Sequence, residues 1–425
     1  RPTVSASSSS DSWLRRQSKR AARSLARRMR DFGQVEPAGF DLTDVPSADI
    51  ALYFPDGPPK LYQLTQWLPV FEGNNDVTTI VIVRQVDAFN ALLGTTPLRV
   101  ILVPQYEDLM ALLDRANFGA VVYVNNGWTN FQALSFQRAV HIHVNHGESD
   151  KICMVSNQAK AYDKVFVAGQ AAIDRHEAAL AWFDQSHLVR VGRPQLDLEV
   201  NPALPPTERT TITYAPTWEG EDEANNYSSV DVYGVQIIQA MVDHPRSRIV
   251  YKPHPRVADS DDPAIRSQHR AIVAAVNEAA SHDPAAGHCV LEGADMLAVI
   301  RSTDVLIADV SSVTLDFLYL KPGAPLVITD RRTDRSGLLT ESPVASVCHV
   351  VDADSIDQLS DDLRAVVTAS GNASRRSMRD HYFDGLEPGE STERFWAELD
   401  SAIREHDQAL QSLSRIRTVS DGTAT

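Results

Sequence analysis

Short apolar runs of four to seven residues alternate with stretches of helical periodicity along this 425-residue chain, and that alternation restricts its fold more than any other feature. The first series of runs falls at 50–54, 77–83, 98–103, 120–124, 139–144, 164–167 and 188–191. Helical spacing fills the gaps at 61–70, 86–93, 107–115, 131–137 and 170–183. A second series falls at 211–214, 248–251, 288–291, 305–308, 325–328 and 347–351, with helices expected at 235–242, 264–280, 295–301, 312–320 and 356–367. Strands apolar throughout and separated by helices belong to parallel sheets covered on both faces. The Pro-rich stretch 201–209 between the two series reads as a linker. The spacing therefore predicts two successive open α/β lobes, 48–200 and 210–370. A helical segment and tail at 371–425 follow, their helix running roughly over 394–415.

One unit of the second series carries extra information. The apolar run 305–308 is followed by Asp309, Val310, Ser311 and Ser312, then by a helical stretch that Lys321-Pro322-Gly323 terminates. Ser311 and Ser312 are good capping residues, and a helix N-terminus has unpaired N–H donors and partial positive charge suited to a phosphate. Taken alone, a Ser-Ser pair is better read as an ordinary N-cap, and it is the company of the other loops that favours the phosphate.

A hydrophobic share of 43% and a charged share of 23% are those of a water-soluble globular fold, and no uninterrupted apolar stretch is long enough to span a bilayer. The net charge of −16 conceals an asymmetry. Residues 1–30 carry nine Lys and Arg against Asp11, leaving 31 bases against 55 acids in the rest. An acidic body argues against nucleic acid as a partner. Residues 1–47 are expected to combine a Ser-rich disordered start with a basic amphipathic helix over 13–30. Its Trp13, Ala21, Leu25 and Met29 share one face among arginines. Such a helix suits an anionic membrane surface, or the acidic body of the protein itself. Cys153, Cys289 and Cys348 are scattered, lack metal-ligand spacing and suit buried thiols in a reducing compartment.

The unusual polar residues follow directly on predicted strands, where doubly wound sheets bind ligands. After 139–144 comes Asn145-His146-Gly147-Glu148-Ser149-Asp150-Lys151, and after 188–191 comes Gly192-Arg193-Pro194-Gln195-Leu196-Asp197. After the first strand of the second lobe comes Ala215-Pro216-Thr217-Trp218, and after the next Lys252-Pro253-His254-Pro255-Arg256. His146 reads as a general base beside a glycine that admits a substrate, or as a surface loop histidine. His254, with Lys252 and Arg256, reads as a phosphate ligand, or as part of a His-Pro turn. His141 and His143 share a strand face, but without a third ligand they read as structural rather than as a metal pair.

Together, His146-Gly147, Gly192-x-Pro194-x-x-Asp197, Tyr214-Ala215-Pro216-Thr217-Trp218, Lys252-Pro253-His254-Pro255 and Asp309-x-Ser311-Ser312-x-x-x-Asp316 resemble the CDP-glycerol:poly(glycerophosphate) glycerophosphotransferase family, the polymerases and primases of teichoic acids and capsules. The resemblance extends over about 120–400, including Asp384-Gly385 and Ser391-Thr392-Glu393-Arg394. It implies a GT-B fold of two Rossmann-like lobes facing a cleft. The implied enzyme is peripheral to the cytoplasmic face of a bacterial membrane. It transfers glycerol phosphate, or a related alditol phosphate, from CDP-glycerol to a hydroxyl of a lipid-linked acceptor. His146 resembles the family's base. His254, with Ser311 and Ser312, resembles the pyrophosphate-holding groups, to which Lys252, Arg256, Thr217 and Asp309 are added. Asp197, Trp218, Asp316 and Arg394 match further motif positions. No cofactor and no protein-bound metal are expected. The family's Trp-His-Gly-Thr-Pro-Leu-Lys block stands here as Asn145 to Lys151, and Gln195 stands where many members have Arg. A GT-B glycosyltransferase, or a non-catalytic module of a larger polymerase, would use the same cleft.

Overall fold

The computed structural model describes residues 47–368 and 373–422; the basic segment 13–30, with its expected amphipathic helix and membrane contact, lies outside the described residues. The first sheet contains β1 (Ile50–Phe54), β2 (Thr79–Val83), β3 (Arg99–Leu102), β4 (Ala120–Tyr123), β5 (Val140–His143), β6 (Lys164–Val167) and β7 (Leu188–Arg190). Its order is β3-β2-β1-β4-β5-β6-β7. The second contains β8 (Thr210–Ala215), β9 (Ser247–Tyr251), β10 (Cys289–Val290), β11 (Val305–Ala308), β12 (Leu326–Thr329) and β13 (His349–Val351), in the order β10-β9-β8-β11-β12-β13. Every pairing is parallel. Each sheet reverses its winding beside its first strand, the place where such sheets form a ligand crevice.

The sheets are apolar throughout because both faces are covered. In β11, Leu306 and Ala308 pack with Leu315, Phe317 and Ile328 on one face, while Val305 and Ile307 pack with Ile212, Ile249 and Val327 on the other. All of these side chains are at most 2% exposed, and burying each of the Val, Leu, Ile and Phe side chains contributes about 2 kcal/mol. Truncating Ile307 to Ala would cost about 3 kcal/mol. Helices α1 (Gln170–Ala179), α2 (Gly234–Asp243), α3 (Pro263–His282) and α4 (Ser312–Leu320) cover the sheets. In α3, Asp262 caps the Ala264 N–H at 2.8 Å and Pro263 opens the helix, with Ile265, Ile272 and Val276 on the buried stripe. The Pro-rich stretch lies against the second sheet's helices, where Ala203 N–H donates to the Ala298 carbonyl at 2.9 Å.

Some expectations need correction. The helix expected over 61–70 divides into Tyr62–Thr65 and Leu68–Glu72, because Pro69 favours the first turn of a new helix. Helix α5 (Ala373–Phe383) was not anticipated, since its sequence is rich in arginine and poor in apolar residues. Arg375 and Arg379 instead spend their guanidinium N–H groups on the carbonyls of Pro322, Gly323 and Tyr319 around the end of α4. Helix α6 (Glu390–Gly422) returns to the first lobe, where the Phe395 ring lies 5.3 Å from that of Trp67 and 5.8 Å from those of Phe71 and Phe166. None of the three cysteines is fully buried, and Cys153 is exposed.

Candidate active site

The second lobe contributes a helix tip with an acid behind it. Asp309, at the end of β11, is fully buried and accepts from Thr217 N–H, Ser229 Oγ and Thr329 Oγ1. Expected among the phosphate-binding groups, its side chain instead knits the ends of β8, β11 and β12 together, its oxygens taken up by these donors. Burial pushes its carboxyl above the ordinary range, against the pull of those donors. The chain then turns through Ser311, the N-cap of α4. Ser311 is 8% exposed, and its Oγ has no hydrogen-bond partner among the described residues. A buried hydroxyl left so costs about 1–3 kcal/mol unless a ligand or water meets it.

The Pro-flanked loop after β9 brings His254 alongside. Its N–H donates to the Pro216 carbonyl at 3.1 Å, and its Nδ1 accepts from Arg256 N–H at 3.2 Å, which fixes the ring. The Arg256 guanidinium stacks 3.6 Å above the Trp218 ring. Lys252 is held by the carbonyls of Pro253 and Glu292, so its ammonium steadies the loop as well as adding positive potential.

The first lobe contributes the turn after β5. Asn145 takes a left-handed φ of 54° and its carbonyl accepts from Trp67 Nε1 at 2.6 Å, so the chain reverses sharply at His146. A Cβ placed on Gly147 would lie 3.3 Å from Ser312 Cβ, so the turn approaches the tip of α4 as closely as a glycine permits. Arg193, from the loop after β7, completes the contact. It donates to both carboxylate oxygens of Asp316 in α4, at 3.0 and 3.2 Å, and to the His146 carbonyl at 3.3 Å. The Tyr62 ring stands edge-on to both His146 and His254, with centroids 5.9 and 5.8 Å away. Tyr62 and Arg193 were not singled out from the sequence. Tyr62 sits in a short helix without a motif, and Arg193 falls on the unspecified position of a Gly-x-Pro pattern.

Burial lowers the His146 imidazole to about 4, with Arg193, Lys151 and Lys60 adding to the effect. It lowers His254 to about 3, assisted by Lys151, Lys252 and Arg256. Both rings are neutral near pH 7, and the same cations that keep them so make the gap electropositive in an otherwise acidic chain. The His146 Nδ1 has no partner among the described residues.

The remaining positions brace the lobes. Asp150 binds Arg175 at 2.7 Å, Ser342 at 2.8 Å and Tyr382 at 2.5 Å, and Lys151 Nζ donates to Thr217 Oγ1 at 2.7 Å. The block that departs from the family pattern thus crosses from the first lobe to the second. Asp197 receives the N–H and hydroxyl of Thr392 at 2.7 and 2.8 Å, and so caps the start of α6. Arg394 is paired with Asp384 at 2.6 Å, which also binds Arg190, so the structure ties both residues to the C-terminal segment rather than to the histidines. His141 bonds Tyr123 and the Phe136 carbonyl, and His143 stacks on Tyr162. Among the described residues no group of His, Cys, Asp and Glu is arranged to hold a metal ion, and no helix is long and apolar enough to cross a membrane.

Solved structures share this architecture. A variant of the wall teichoic acid polymerase TagF superposes with a TM-score of 0.56 at 13% identity, over 87% of this chain and 92% of that one. A TagF variant soaked with CDP-glycerol gives 0.54 at 13%, over 86% and 91%. The UDP-GlcNAc 2-epimerase from Neisseria meningitidis bound to UDP-GlcNAc gives 0.52 at 11%, over 82% and 98%. At such identities the likeness is one of fold, the two-lobed GT-B-like arrangement. No curated protein sequence matches the chain. The model of the family described as CDP-glycerol:poly(glycerophosphate) glycerophosphotransferase matches residues 115–329, which hold the β5 turn, the Gly192 loop, the His254 loop and the tip of α4, and this chain belongs to that family.

Proposed function

We propose that this protein transfers glycerol phosphate, or a closely related alditol phosphate, from CDP-glycerol to a hydroxyl of a membrane-associated cell-wall or capsule polymer. One observation carries the reading. The neutral His146 imidazole of one lobe meets two parts of the other, His254 around the single Tyr62 ring and Ser312 through the glycine-tight contact at Gly147. The diphosphate lies at the tip of α4, with Ser311 and Ser312 hydroxyls, backbone N–H groups and His254 donating to its oxygens. The acceptor hydroxyl attacks the phosphorus that bears the glycerol. The new O–P bond forms as the bond to the bridging oxygen breaks, CMP leaves with that oxygen, and the His146 imidazole takes the hydroxyl proton. The donor's negative charges favour protonated imidazoles, so donor binding raises the affinity of His146 for the proton it must accept. Residues 13–30 would hold the enzyme to the anionic inner face of the membrane, where a lipid-linked acceptor is presented.

The test is CMP release from a panel of CDP-alditols in the presence of a glycerol phosphate oligomer. CMP with oligomer growth is expected. Release of UDP or GDP from nucleotide sugars instead would make the protein a glycosyltransferase, and binding without turnover would make it a module of a larger assembly.

A further inference from the structure

The C-terminal ends of β5, β6 and β7 enclose a pocket of about 40 Å³, lined by Asn145 and Gly147 of the histidine turn and by Gly192, Arg193 and Gln195 of the facing loop. Gly147 belongs both to this pocket and to the contact with Ser312, so the pocket begins where the interlobe gap ends. Its volume leaves room for a few water-sized groups, enough for one short polyol unit and too little for a nucleotide.

The pocket's polar groups are deeply buried and unspent. Gln195 is 3% exposed, and neither its amide oxygen nor its amide nitrogen has a partner among the described residues. The same holds for Nε2 of His143 and Nε of Arg193, which also line the pocket. Unpaired groups of this kind are rare in folded proteins and mark a place where a ligand or water supplies the missing bonds. The arginines nearby are already paired. Arg193 is paired with Asp316, and Arg175 with Asp150 and Glu148. With both arginines already spent on carboxylates, one carboxylate in excess, and the Gln195 amide donor and acceptor available, the pocket suits an uncharged, hydroxyl-bearing group rather than a phosphate.

We propose that this pocket receives the uncharged polyhydroxy end of the acceptor chain, with Gln195 as its main recognition residue. It thereby presents a hydroxyl beside the His146 turn. This deepens the transferase reading and rests on it for the identity of the ligand as acceptor, whereas its test does not need turnover.

The probe is a synthetic oligomer of three glycerol phosphate units with a free glycerol end, its binding followed by ligand-observed NMR. The wild-type protein is expected to bind it, with glycerol competing and inorganic phosphate not competing at equal concentration. Gln195→Leu removes both amide atoms at similar volume and should weaken the oligomer about tenfold, as expected for two lost hydrogen bonds. Its melting temperature should not fall, because the amide atoms removed have no partner within the protein, and its affinity for CDP-glycerol should stay that of the wild type. Equal affinity of the variant for the oligomer, competition by phosphate but not glycerol, or no oligomer binding by the wild type would each overturn the proposal. Oligomer binding that depends on Gln195, in a protein that releases no CMP, would uphold the pocket and sink the transferase reading.

Discussion

The two lobes use the same position in the same kind of sheet for opposite ends. After β11 the chain enters α4 directly, so the second lobe presents a helix tip, two serines and a buried acid that fixes the neighbouring loop. After β5 no long helix follows, and the turn leads instead into short 3-10 segments. The first lobe therefore presents a single imidazole on an irregular loop and spends the next residues on braces to its partner. A helix end is built to hold an anion that arrives charged, whereas a base must sit at a point where a proton is released. In the proposed reaction, placing the two on separate lobes would let each be organised for its own task, with Arg193–Asp316 linking the lobes.

The largest effect that would break this contrast comes from His146→Ala. Loss of a positioned base should lower CMP formation by about 10³-fold, while CDP-glycerol affinity measured by titration calorimetry changes little. Turnover near wild type would remove the first lobe from the chemistry. Next comes Asp316→Asn, which leaves the buried Arg193 without its countercharge. A loss of about 3 kcal/mol in denaturant unfolding is expected, together with a fall in turnover as the lobes lose register. Ser311→Ala should act on the other side alone. Removing a hydroxyl bonded to a charged phosphate weakens CDP-glycerol binding about tenfold and leaves the fold intact.

The smallest expected effect is an absence of change. A base with an ordinary histidine value would lose kcat/KM as pH falls through about 6.5. His146, lowered to about 4 by burial, is deprotonated and competent throughout that range. The acid limb of kcat/KM should therefore appear only as pH approaches 4, and a limb centred near 6.5 would show the half-buried His146 ring to be solvated in the working enzyme.

Much of this site was legible because strand ends are. Each predicted apolar run coincides with a strand, and His146, His254, Thr217 and Ser311 all follow a strand within a few residues. What escaped were residues whose meaning depends on a partner far along the chain. Asp309 reads like a ligand-facing acid, yet Ser229 and Thr329 draw it inward. Asp197 and Arg394 sit on motif positions, yet each serves the attachment of the C-terminal segment. Tyr62 carries no pattern at all, yet it touches both histidines.

Periodicity of apolar residues, set by the geometry of helix and strand, was enough to determine two parallel sheets, their strands and the loops that bear the polar groups. Local preference also determined where α4 begins, since capping chemistry is a matter of adjacent residues. The tertiary structure alone decided which polar groups face one another across the gap and which are consumed in bracing it. Hydrogen-bond partners and desolvation are set by contacts between residues tens to hundreds of positions apart, and no local pattern encodes them.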